Sequence, residues 1–179
     1  MLDNHFVYET PNFLNLPYIQ NLVLTTLKTN SEDYYRYIRI DVTSDSYLNQ
    51  VREQFNFLGS WLNIYHLNPM GYTNLHIDAY RLVAFNIPIA GCDETTQTIW
   101  YEPVTEWTKI YKSDSRYYKV SGDMREVYRF ALIRPALIRN DVAHEVRRFN
   151  ASEIRIIASW GCGGTYEECR NAFKEVLEK

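Results

Sequence analysis

His76, Asp78 and His144 are the residues whose types and spacing promise chemistry. The chain has only four histidines among 179 residues. One stands in His76-Ile77-Asp78, and another follows far downstream after Arg139-Asn140-Asp141. Side chains at i and i+2 of a strand point the same way, so His76 and Asp78 share a face if their segment is extended. Two imidazoles and one carboxylate can occupy one face of an octahedral metal and leave adjacent positions open. This is the donor set of non-haem Fe(II) sites, and zinc accepts the same ligands at lower coordination number. A His-x-Asp pair alone is more often a surface pair or a structural hydrogen bond. The β-prone runs around both halves favour the metal reading.

A second chemical signal lies in the run 153–160, where Arg155 interrupts Ile, Ala and Trp residues. Charge in such a run is costly unless paired, and a guanidinium matches a carboxylate by a two-pronged contact. A structural ion pair or an exposed strand face is the alternative.

The elements that must position these groups follow from hydrophobic periodicity. The segment 13–28 suits a short helix or mixed helix and strand, with Pro17 limiting a continuous helix. Residues 45–58 read as a clearer helix, with Leu48, Val51, Phe55 and Leu58 on one face and Asp45 or Ser46 at its start. From Trp61 onward, short Val, Ile, Phe, Tyr and Trp runs separated by turn residues predict antiparallel strands at 61–67, 75–87, 98–101, 127–133, 136–138, 145–149 and 153–160. A last helix is predicted over 166–177, after Gly164, with Cys169, Phe173 and Leu177 on one face. The expected plan is mainly β with flanking helices packed outside a small barrel. It forms one domain over 1–179, with helical N-terminal support and a β core at about 61–160.

Composition narrows the function. A net charge of -3 with scattered basic residues argues against a nucleic-acid partner. No run reaches the roughly 20 apolar residues of a membrane span, and the opening residues lack secretory features, so a soluble cytoplasmic protein is expected. The three cysteines are read as reduced thiols, although Cys162 and Cys169 are spaced to approach each other. Gly161-Cys162-Gly163-Gly164 lacks a phosphate-binding signature and reads as a turn before the last helix. Asp123 and Glu126, next to Ser121-Gly122, read as turn or surface residues.

Taken together, Leu75-His76-Ile77-Asp78, the run Arg81 to Pro88, Trp100-Tyr101, Asn140 to His144 and Arg155 resemble the Fe(II)- and 2-oxoglutarate-dependent oxygenase superfamily. The likeness is to its aspartyl/asparaginyl and proline hydroxylase-like branch and covers roughly 61–160. The resemblance implies a double-stranded β-helix (jelly roll, cupin-like). It also implies Fe(II) held by His76, Asp78 and His144, and Arg155 on the distal carboxylate of the cosubstrate 2-oxoglutarate. Some relatives in that branch place another histidine near position 86 and lack the metal-binding carboxylate. This chain has Asn86 and Asp78 instead, so their substrate preference does not transfer.

Asn86 shares the face of His76 and Asp78 if one strand runs unbroken from 76 to 86, and its amide can then bond a cosubstrate carboxylate. Arg81 is out of phase. A bend after Asp78 would turn it toward substrate, and otherwise it makes an exterior salt bridge. Tyr65 and Trp100 are candidate substrate contacts, with core packing as the alternative for each; Trp100 and Tyr101 cannot face the same side. Arg147 and Arg148 point oppositely, with surface charge the preferred reading for both.

The implied activity is a dioxygenase that hydroxylates a small-molecule or amino-acid-type substrate and releases succinate and carbon dioxide. Halogenation is disfavoured because Asp78 occupies the position a halide would take. The rival classes are a metal-dependent cupin-like isomerase or hydrolase without 2-oxoglutarate, and a noncatalytic barrel.

Overall fold

A computed structural model describes residues 3–29, 38–69, 71–112, 117–149 and 152–177. In chain order the elements are β1 (Val7–Glu9), α1 (Leu16–Thr29), β2 (Ile38–Asp41), α2 (Ser46–Gln54), β3 (Leu58–Leu67), β4 (His76–Asp78) and β5 (Val83–Ala90). They continue with β6 (Thr96–Lys112), β7 (Tyr117–Ala131), β8 (Ala136–Arg139), β9 (His144–Arg148), β10 (Arg155–Cys162) and α3 (Tyr166–Leu177). A 3-10 turn at Val42–Ser44 leads into α2.

The helices start where local chemistry satisfies their free amides. The Asn15 side chain accepts from the Tyr18 amide at 3.2 Å, and that of Asp45 from the Leu48 amide at 2.9 Å, as N-caps do. Thr165 and Glu168 bond each other's backbone amides at 3.3 and 2.7 Å, a reciprocal capping box ahead of α3. Two sequence expectations are corrected here. Pro17 lies in the first turn of α1, where a missing amide proton and a fixed φ suit a helix start, so the helix runs unbroken to Thr29. The second helix ends at Gln54 rather than Leu58, because Phe55 leaves helical geometry and Leu58 opens β3.

The strands form two antiparallel sheets, one of them closed into a small barrel. The first has the order β1-β8-β5-β10-β3-β2, and the second is the ring β4-β7-β6-β9. The predicted single strand over 75–87 is in fact two strands in different sheets, parted by a bend at 79–82. The 98–101 and 127–133 runs are the inner ends of a longer hairpin, β6 with β7, which carries a bulge opposite Gly122. Ser121-Gly122 lies within β7, paired with Thr108 and Trp107, and not in a turn; Gly122 has φ +138, a conformation open mainly to glycine. Glu126 matches its surface reading, forming an exposed pair with Arg129 at 2.6 Å.

The first sheet has two uses. On β10, Ala158 and Trp160 point into the core beneath the helices, and Arg155 and Ile157 line a cavity on the other face. Likewise β5 turns Val83, Phe85 and Ile87 to that core and Asn86 to the cavity. Strand alternation therefore divides packing from chemistry. The helix-side core centres on Phe173, which is 0% exposed and packs at a tilt with ring centroids 4.7 Å from Phe55 and 5.0 Å from Phe85.

Truncation of this ring removes several aromatic contacts at once. Phe173→Ala is expected to lower unfolding free energy by about 3–5 kcal/mol. Urea denaturation checks this, with an unchanged denaturant slope showing that the fold is retained.

Candidate metal centre

The two histidines meet because of strand register. His76 on β4 lies directly opposite His144 on β9, with ring centroids 4.4 Å apart. Asp78 projects from the same face of β4, and its Oδ1 lies 3.5 Å from His76 Nε2. One ligand atom from each of His76, Asp78 and His144 falls within 4.8 Å of the others. On one face of an octahedral site with bonds of about 2.1 Å, neighbouring ligand atoms lie about 3.0 Å apart, so loading draws the widest pair together by up to roughly 1.8 Å. This is a two-histidine, one-carboxylate donor set suited to a divalent transition metal.

Surrounding groups aim each ligand atom. His76 Nδ1 faces the Asn74 carbonyl at 2.6 Å, and His144 Nδ1 faces the Val142 carbonyl at 2.9 Å. A carbonyl requires a proton from its partner, which assigns the proton to Nδ1 and leaves Nε2 as the ligand atom. On Asp78, Oδ2 accepts from Arg81 Nε and Nη2 at 3.2 and 3.0 Å and from Asn140 Nδ2 at 3.1 Å. Oδ1 is left toward the histidines.

Electrostatics keep the ligands in their metal-binding forms. Burial pushes the Asp78 carboxyl up, but the hydrogen bond with the adjacent His76 and the positive charge of Arg81, with a further contribution from the His144 ring, outweigh it and hold the group well below the carboxylate range. His144 is pushed down to about 4, chiefly by burial and then by His76, against the opposing pull of Asp78. It is neutral at neutral pH, as a ligand must be.

The bend after Asp78 carries Arg81 inward, one of the two alternatives open from sequence. It also makes the salt bridge of the other, though with Asp78 in the interior. Its Nη1 bonds Tyr65 Oη at 3.0 Å and Ser159 Oγ at 2.8 Å, and its guanidinium lies 4.9 Å from the Tyr65 ring centre. All three guanidinium nitrogens are thus engaged inside the protein. Tyr65 and Asn86 line the cavity beside the triad, which measures about 660 Å³. Asn86 reaches it from the opposite sheet, and not along a continuous strand from His76.

Trp100 is corrected from substrate contact to core. It is 0% exposed, packs against Phe6 and Tyr128 and donates Nε1–H to the Arg139 carbonyl at 2.8 Å. Tyr101, on the opposite face, donates to Glu145. Arg147 and Arg148 do point oppositely, but only Arg147 is a surface charge, paired with Glu145 at 2.7 Å. Arg148 is buried and donates to Thr96 Oγ1 and the Leu67 carbonyl. The three cysteines are free thiols.

Arg155 has a different environment from either expected alternative. It is 6% exposed, lines the cavity, and its Nε has no hydrogen-bond partner. Among the described residues it forms no ion pair. Burial lowers its pKa, and the neighbouring Cys92 thiol only partly offsets this. Two polar residues of the site, Asn140 and Ser159, were not singled out from sequence. Ser159 carried a usable signal, lying four positions from Arg155 on a strand and hence on the same face.

Comparison with protein-family models gives no match, and comparison with curated protein sequences gives none. Among solved structures, the chain is similar to a prolyl-4-hydroxylase from Pseudomonas putida, at 14% identity and a TM-score of 0.51. That match covers 89% of this chain and 93% of the other. Apo HygX from Streptomyces hygroscopicus matches at 11% identity and a TM-score of 0.46, over 89% of this chain and 82% of the other. At these identities the first likeness describes the fold. No described helix is long and apolar enough to cross a membrane.

Acid should destabilise the metal-free protein. The folded His144 value of about 4 lies below the ordinary 6.5, so the unfolded chain takes up this proton first as pH falls. Stability present above about 6.5 is lost down to about 4, by roughly 2–3 kcal/mol. Denaturant midpoints at pH 7 and 4.5 measure the loss, and His144→Asn should reduce it. His144→Ala should abolish tight Fe(II) binding with the fold retained. Unchanged metal occupancy would remove His144 from the ligand set.

Proposed function

We propose that the protein is an Fe(II)- and 2-oxoglutarate-dependent dioxygenase with a double-stranded β-helix core, hydroxylating a small-molecule substrate. The observation that carries this reading is Arg155, a buried guanidinium without a carboxylate partner among the described residues, facing the same cavity as the triad. A lone buried cation is unfavourable by several kcal/mol unless an anion meets it. A dicarboxylate that chelates the metal at one end and meets Arg155 at the other supplies that anion. The similarity to the fold of a prolyl-4-hydroxylase is consistent with this reading.

In the proposed site His76, Asp78 and His144 would hold ferrous iron, a donor set that leaves other coordination positions open. With 2-oxoglutarate and dioxygen, bound Fe(II) supplies oxidative decarboxylation to succinate and carbon dioxide coupled to oxidation of a substrate C–H bond. The chain's own residues bind and orient. Arg155 holds the distal carboxylate as a fixed fork, without acting as a base. Asn86 offers its amide to the cosubstrate, and Tyr65, steadied by Arg81, walls the cavity near the metal. Substrate enters the remaining volume, which is within the range of ordinary small-molecule sites. A metal-dependent isomerase or hydrolase would use the same triad but gives Arg155 no anion.

An anaerobic Fe(II) titration with and without 2-oxoglutarate tests the reading through the weak visible charge-transfer absorption of chelated cosubstrate on ferrous iron. The band is expected in the native protein. Arg155→Ala should weaken 2-oxoglutarate binding by at least about 10-fold, since a charge-assisted pair is lost, with Fe(II) affinity little changed. Bound metal with no band in the native protein would favour the isomerase or hydrolase class.

A further inference from the structure

Asp78, Arg81, Ser159 and Asn86 form one hydrogen-bonded chain running from the metal carboxylate in one sheet to the cavity wall of the other. Arg81 grips Asp78 Oδ2 through Nε and Nη2 and reaches Ser159 Oγ through Nη1 at 2.8 Å. Ser159 Oγ in turn donates to Asn86 Oδ1 at 2.5 Å. Ser159 is 0% exposed and sits directly opposite Asn86 in the β10 and β5 register. No water is needed to complete the chain.

The chemistry of the groups fixes its polarity. A guanidinium only donates, so Ser159 Oγ accepts from Arg81 and keeps its single proton for its other neighbour. That neighbour must present an acceptor, which turns Oδ1 of Asn86 to the serine. The Asn86 amide NH2 is then directed away from Ser159, on a side chain that lines the cavity and makes no other side-chain hydrogen bond among the described residues. Without Ser159, the amide is free to flip and present an oxygen, which repels a carboxylate.

We infer that Ser159 is a positioning residue that, polarised by Arg81, locks the Asn86 amide with its NH2 toward the cosubstrate anion. The assignment rests on the dioxygenase reading of the cavity. It also gives Arg81 a double duty, orienting the metal's carboxylate and, through Ser159, the cosubstrate donor. That bridging role replaces direct substrate contact, because each nitrogen of its guanidinium already donates inside the protein.

The test is the same anaerobic titration, applied to Ser159→Ala, Asn86→Ala and the double variant, with Fe(II) binding measured separately from 2-oxoglutarate binding to the iron-loaded protein. Ser159→Ala should leave Fe(II) affinity within about twofold and weaken 2-oxoglutarate by about 10-fold, the scale of losing a group that orients a ligand. Asn86→Ala should weaken it similarly. The double variant should be no worse than Asn86→Ala alone, since Ser159 acts through Asn86. Ser159→Thr, which keeps the hydroxyl, should restore binding, and denaturation midpoints identify any variant that fails to fold. Unchanged 2-oxoglutarate affinity in Ser159→Ala, or additive losses in the double variant, overturns the assignment while leaving the dioxygenase reading intact. Absence of the cosubstrate band in the native protein overturns both.

Discussion

The register that sets His76 opposite His144 is the constraint on which the rest of the site depends. It closes the ring of four strands, since β4 meets β9 at that pair. A slip of one residue would turn His144 outward and bring Glu145 in its place. The register is held from the other side of β9, where β6 pairs from Thr96 opposite Arg148 to Trp100 opposite His144. Trp100, buried and tied to the Arg139 carbonyl, anchors that end. Its contribution to the metal centre is therefore mechanical, made through the backbone of its strand neighbour.

Charge burial is uneven around the cavity, and the unevenness separates structure from function. Asp78 and Arg81 neutralise each other, and every guanidinium nitrogen of Arg81 has a partner. Arg148 is buried as well but bonds a hydroxyl and a carbonyl. Arg155 alone among these arginines has an unsatisfied buried nitrogen. A buried polar group left without a partner costs about 1–3 kcal/mol, more when charged. An anion that binds at this position would regain the stability forgone there, which would link occupancy of the cavity to folding.

The two sheets give that linkage a rigid frame. One face of the first sheet is packed by the helices through Phe173, Phe55, Phe85 and Trp160, and its other face supplies Tyr65, Asn86 and Arg155 to the cavity. The metal ligands come from the second sheet. The cavity therefore lies between walls from the two sheets, which share a hydrophobic cluster around Trp100, and Arg81, rising from the bend that joins them, bonds to both.

Much of this was legible in the sequence. His-x-Asp within extended chain put two candidate ligands on one face by strand alternation alone, and Arg155 inside the run from Glu153 to Trp160 stood out as a charge costly to bury unless paired. Period-four hydrophobic spacing located the last helix, and short β-rich runs gave the β-rich architecture with flanking helices. Other features depended on contacts distant in sequence. Whether Arg81 turned inward was decided by a bend and an internal carboxylate, Trp100 by the aromatic residues that surround it, and Arg148 by the hydroxyl and carbonyl that receive it. Sequence determines which residues can do chemistry and which way they alternate, because side-chain type and backbone period are local properties. Register and partner are not local, so only the tertiary structure decided that His144 stands across from His76, that Ser159 meets Asn86, and that Arg155 has no carboxylate partner among the described residues.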